Sequence, residues 1–187
     1  RVDRQIDIAN LGSLNAIQAN GDQLWLVSAE DKRLYRIPEA STEIAQTYDL
    51  PRAPDHLYHT PDRLWVASGA DQMLLLDEAT GDVINALELR GANQISGFTN
   101  DGQYAWFTTG ARGGLVQAVR IADGVLQTRI PLCQGVSRPL FDGTNVWFAC
   151  PNDDRLEALT AVFFQFDIDG FDQDTYEHQP LVKDDLL

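Results

Sequence analysis

Apolar residues along this chain come in short runs, and the runs recur. Trp25, Trp65, Trp106 and Trp147 are separated by 40, 41 and 41 residues. Each follows an apolar residue (Leu24, Leu64, Ala105, Val146), and nine residues after each stands a leucine: Leu34, Leu74, Leu115 and Leu156. Turn-forming residues divide each repeat into strand-sized pieces. In the second repeat the pieces are His56–Thr60, Arg63–Ser68, Gln72–Asp77 and Val83–Leu89, set apart by Pro61-Asp62, Gly69–Asp71 and Thr80-Gly81-Asp82. In the third they are Ile95–Thr99, Tyr104–Thr109, Leu115–Ile121 and Val125–Leu132. Gly, Asn and Asp at the breaks supply the backbone conformations that tight hairpins need.

The second strand of each repeat is apolar on both sides, as in Leu24-Trp25-Leu26-Val27 and Val146-Trp147-Phe148-Ala149. A sheet with one wet face alternates more cleanly, so these strands are expected to be buried on both faces. The tryptophans are then core residues between sheets rather than a stacking ladder for bases or sugars. A period near 40 with several short strands per repeat predicts an all-β fold, a β-propeller of four recognisable blades. The expected blades are 14–53, 54–93, 94–136 and 137–170 of a single domain covering 1–187, with 1–13 as closing strand and 171–187 as acidic tail. Ile6-Asp7-Ile8 resembles Tyr48-Asp49-Leu50, so Arg4–Ala9 reads as a last strand that completes the fourth blade. The alternative is that the four blades belong to a larger ring.

The strings GDQLWLVSAEDKRLYRIPEAST and PDRLWVASGADQMLLLDEATGDVINALEL resemble the YVTN and NHL-like propeller superfamily. Their LW…L…D…TG…L cadence is similar to the streptogramin-lyase branch. The resemblance spans roughly residues 1–150 and rests on the repeat consensus. It implies a propeller platform. The lyase relatives work with a histidine, acidic residues and magnesium, and no position of this chain takes over that set.

Charge narrows the partners. The chain carries 28 acidic and 14 basic residues, a formal net charge of −14. Such a field repels phosphate backbones and anionic bilayers, so neither nucleic acid nor a membrane surface is an expected partner. No apolar run approaches the roughly 18 residues that span a bilayer. Arg1 rather than Met opens the sequence, as in a processed protein or in a piece excised from a longer one, and a periplasmic or secreted setting is favoured over others.

Candidate chemistry sits in the connections between repeats. In a propeller they would line one rim, carrying Arg52, His56, Arg90, Asn93, Gln94 and Arg138. Guanidinium forks suit carboxylate or phosphate. The competing reading pairs these arginines with Asp49, Asp55 and Glu88. His56 and His59 are three apart in a strand-like stretch, which sends them to opposite faces and argues against a shared metal. Asp167, Asp169, Asp172 and Asp174, around Gly170, suit a calcium ion, or form a metal-free acidic turn. No other cofactor is expected. Cys133 and Cys150 are either a disulfide across the third and fourth repeats or two buried thiols. No GxSxG, Walker A or HExxH pattern occurs. The leading expectation is a non-catalytic module presenting loops to a protein or small ligand. The alternatives are a lyase-like or quinoprotein-like enzyme acting on a small anion through His56, Arg90 and Arg138, and a structural subunit whose ring another chain completes.

Overall fold

The computed structural model describes residues 5, 6, 8, 11–91, 94–109, 114–160 and 179–181. Strands form where the turn signals leave room for them. The first repeat gives β1 (Leu14–Asn20), β2 (Gln23–Ser28), β3 (Arg33–Pro38) and β4 (Gln46–Asp49). The second gives β5 (His56–Thr60), β6 (Arg63–Ser68), β7 (Gln72–Asp77) and β8 (Val83–Glu88). The third gives β9 (Ile95–Asn100), β10 (Tyr104–Thr109), β11 (Leu115–Arg120) and β12 (Leu126–Pro131). The last gives β13 (Leu140–Phe141), β14 (Asn145–Cys150) and β15 (Arg155–Thr160), with β16 (Gln179–Leu181) beyond them. Each set is one four-stranded antiparallel sheet in sequence order, and each strand pairs only with strands of its own sheet.

The chain divides into two compact units, 1–93 and 94–187. In the first, the sheets β1–β4 and β5–β8 share a core. Trp25, Val27 and Leu34 of one meet Leu57, Leu64, Val66, Leu74 and Leu76 of the other. These residues follow the two-residue period of the strands, one face at a time. In the second unit Trp106, Val116, Ala118 and Ile130 meet Val146, Phe148 and Cys150. Full burial of each such aliphatic side chain stabilises by roughly 1.5–3 kcal/mol against leaving it in water.

The β-propeller expectation is corrected here. The protein is all-β, but it consists of four separate antiparallel sheets, none of them closed, and propeller blades are not shown. Two observations remove the grounds for a ring. The place beside β15 is taken by β16, whose residues pair with Leu156–Ala158, and not by the N-terminal stretch. Gln5, Ile6 and Ile8, the described residues of that stretch, lie outside any strand. In addition, double-sided burial in β2 needs no neighbouring blade. Its far face, with Leu24 and Leu26, packs with Tyr35 and Ile37 under the chain's own Ile6, Leu11 and Leu14.

A polar device recurs at the turn before three of the four β-strands that carry a tryptophan. The residue five positions before the indole accepts its N–H: Thr60 from Trp65 at 2.9 Å, Asp101 from Trp106 at 2.8 Å, Asp142 from Trp147 at 2.6 Å. The second oxygen of Asp101 takes the backbone N–H groups of Gln103 and Tyr104, and that of Asp142 takes Thr144 and Asn145. One carboxylate therefore closes the turn and fixes the ring. The first repeat departs from this. Asn20 stands at the turn position and donates its amide to Glu78 at 2.6 and 2.7 Å. Glu78 also accepts the Trp25 indole N–H at 3.2 Å and lies 3.2 Å from His59 Nε2. A carboxylate from the second sheet thereby does for Trp25 what the turn does elsewhere, and ties the two sheets together.

The backbone N–H of Asn145, the Trp147 indole and the N–H of Thr144 hold the Asp142 carboxyl below its ordinary range. Its folded pKa is depressed. Its contribution is therefore complete above the unfolded value near 3.8 and is lost as the pH falls through the lower folded value. Melting temperatures followed downward from about pH 5 should fall less steeply for Asp142→Asn than for the parent. Equal acid dependence in the two proteins would contradict this role.

Candidate functional site

Antiparallel pairing brings the β4–β5 connection, the β6–β7 turn and the chain leaving β8 to one end of the first unit. Short hydrogen bonds fix all three. Gly69, at φ +64°, makes the β6–β7 turn that a residue with a Cβ would strain. Its N–H donates to Asp55 at 2.7 Å, joining that turn to the β4–β5 connection. Asp71 accepts the N–H of Gly91 at 3.1 Å, and its backbone carbonyl accepts that of Leu89 at 2.8 Å. The path after β8 is thus held against the same turn.

Between these segments lies a shallow groove of about 340 Å³, lined by Arg52, Ala70, Asp71, Gln72, Ala86, Leu87 and Glu88. Gln72 and Glu88 are direct cross-strand partners in the β7–β8 ladder. The two alanines leave the space that a longer side chain would fill. Arg52 is exposed, and no described residue hydrogen-bonds or ion-pairs with it. The side-chain oxygen Oε1 of Gln72 is buried and has no hydrogen-bond partner among the described residues. A buried acceptor without a donor costs free energy, but this oxygen is closed to solvent and is not offered to a ligand in the groove.

The remaining residues expected at a rim are placed as follows. His56 is half-buried, with its ring 6.1 Å from that of Tyr58, and it does not line the groove. Burial pushes the Tyr58 hydroxyl up to about 12, so it stays protonated at neutral pH. His59 belongs to the opposite face of β5, beside Glu78. Arg90 is exposed just before Gly91, outside the groove lining. Asn93 lies outside the described residues, as do the calcium candidates Asp167, Asp169, Asp172 and Asp174. Among the described residues no three His, Cys, Asp or Glu side chains are grouped to hold a metal. Of the acids expected to neutralise the arginines, Asp49 is engaged by Arg33 at 2.9 Å, Asp55 by Gly69, and Glu88 shares the groove with Arg52.

Gln94 and Arg138 belong to the second unit, and both are exposed. The stretch carrying Arg138 is stapled. Cys133 and Cys150 form a disulfide with Cα atoms 5.7 Å apart. Ser137 N–H donates to the Ala149 carbonyl at 3.0 Å, and the Asn152 amide to that of Gln134 at 3.0 Å. Gly97 packs so closely on the Arg138 backbone that a Cβ there would collide with it.

Sequence reasoning singled out Arg52 but missed Ala70 and Asp71, which read only as a hairpin turn, and Gln72, which read as the start of a strand. The available signal was topological: in a sheet ordered β5-β6-β7-β8, the β6–β7 turn must lie at the end where the chain enters β5 and leaves β8.

No family model matches the chain, and no curated protein matches it. Among solved structures, the chain is similar to the computationally designed Ika4 protein, with a TM-score of 0.65 at 12% identity over 80% of this chain and 92% of that one. It is also similar to the computationally designed Ika8 protein, with a TM-score of 0.64 at 13% identity over 79% of this chain. The match takes in 46% of Ika8, so the chain spans about half the length of that protein. At these identities the likeness shows the fold alone, an all-β arrangement of separate four-stranded sheets.

Proposed function

We propose that the protein is a non-catalytic binding module whose first unit takes a small ligand, or a terminal group of a protein partner, at its loop end. One observation carries this reading. An exposed guanidinium, Arg52, without a partner among the described residues, borders a groove whose lining also carries the Asp71 and Glu88 carboxylates. Surface arginines in ion pairs mean little by themselves. A cation and carboxylates lining the same concavity supply polar groups of the kind that orient a ligand. The rigid scaffold beneath them, pinned through Asp55 and Asp71, keeps the ordering cost of binding low. The setting we propose is extracytoplasmic, which the Cys133–Cys150 disulfide supports because such bridges persist in oxidising compartments.

A ligand-observed NMR screen of small carboxylates, amines and short peptides tests the reading. At least one class should bind, and Arg52→Ala should weaken it about 10-fold or more, the scale of a lost charged hydrogen bond. Binders that ignore Arg52→Ala, or no binders at all, would contradict the assignment.

A further inference from the structure

We propose that the groove accepts a small zwitterion of the α-amino-acid type, free or as the terminal residue of a peptide, a ligand class that rests on the binding-module reading of the same site. Its lining carries both signs of charge. Arg52 comes from the β4–β5 connection, whereas Asp71 and Glu88 come from the β6–β7 turn and β8. A plain anion drawn to Arg52 meets two carboxylates in the same small space. A plain cation drawn to the carboxylates meets the guanidinium. A ligand with a carboxylate and an ammonium a few bonds apart satisfies both.

The hydrogen-bonding groups point the same way. The Arg52 fork matches a carboxylate bidentately. An ammonium offers three N–H donors, and the Asp71 carboxylate in the lining can accept from it. Asp71 is held in place by Gly91 N–H at 3.1 Å and keeps acceptor capacity for the cation. Ala70, Ala86 and Leu87 provide an aliphatic surface for a short side chain. The volume, about 340 Å³, lies at the small end of ligand sites, which run from roughly 300 to 1,000 Å³. That suits one amino acid and excludes large cofactors.

The test is calorimetric or NMR titration of the whole chain with alanine, and with acetate and methylammonium as its two halves. Alanine should bind, with each half about 10-fold weaker or worse. Arg52→Ala should remove alanine binding, and Arg52→Lys should restore it in part. Asp71→Asn can keep the acceptor for Gly91 N–H but removes the charge that meets the ammonium, so it should weaken alanine without weakening acetate. Thermal melts of each variant confirm folding. Acetate binding as well as alanine would overturn the zwitterion site in favour of a simple anion site, and the binding-module reading would stand. Methylammonium binding as well as alanine would overturn it in favour of a cation site. No alanine binding at tens of millimolar, with hits elsewhere in the wider screen, would sink the ligand class alone. No binding of any probe, with an empty wider screen, would sink both readings.

Discussion

Trp106→Ala is expected to cost about 3–5 kcal/mol, the scale of deleting a large buried aromatic. The ring is fully buried and sits in the core that joins β9–β12 to β13–β16. It packs edge-on against Phe148 at 6.5 Å and against Tyr104 at 6.4 Å, and its N–H is held by Asp101. Truncation opens a cavity that the rigid ladders on both sides cannot close. At roughly 2–4 °C per kcal/mol for a chain of this size, the melting temperature should fall by about 10 °C. Trp147→Ala offers the internal comparison. That indole makes the same turn contact but is only half-buried, so its loss should be clearly smaller. Equal and small shifts for both variants would contradict the core role assigned to Trp106.

Replacing both Cys133 and Cys150 by Ala should cost about 3 kcal/mol, the chain-entropy value for a loop of this length. The bridge joins positions 17 apart, and both residues are buried within the second unit's core. Its removal also loosens the 134–138 stretch, which is otherwise held by hydrogen bonds to Ala149, Asn152 and Ser96 and by packing on Gly97. Denaturant melts of the double variant against the oxidised parent measure the effect. Superimposable curves would show that native packing alone holds the loop.

Strand positions were legible because each break carries its own chemistry. His56–Thr60, Arg63–Ser68 and Gln72–Asp77 have the same limits in the sequence and in the structure. Glycine, Asn and Asp act locally, and a local signal survives without knowledge of the rest of the fold. What an edge strand pairs with is not local. β16 comes from a Gln-Pro-Leu segment that reads as tail, and nothing in the repeat marks it as the partner of β15. The likeness of Ile6-Asp7-Ile8 to the end of the first repeat therefore suggested a closing strand, whereas the described residues Gln5, Ile6 and Ile8 lie outside any strand. The double-sided apolar runs misled for a related reason: they report burial, not the identity of the covering group, and Ile6, Leu11 and Leu14 cover β2 as effectively as another sheet would.

The candidate site was legible in part for the same reasons. Arg52 stood out as a cation in a connection. Its neighbour in the groove wall, Gln72, opens a strand and looks like an ordinary edge residue. Only the sheet order brings the β6–β7 turn beside the β4–β5 connection. Pairing with Glu88 in the β7–β8 ladder then sets Gln72 in the groove wall.

The central claim is that binding happens at that end of the first unit. The most direct measurement is a ¹H–¹⁵N correlation map of the labelled chain during titration with alanine. The account predicts that shifts concentrate at Arg52, Gly69–Gln72 and Ala86–Gly91, and that Arg52→Ala abolishes them. Saturable shifts centred elsewhere, with these residues silent, would contradict it.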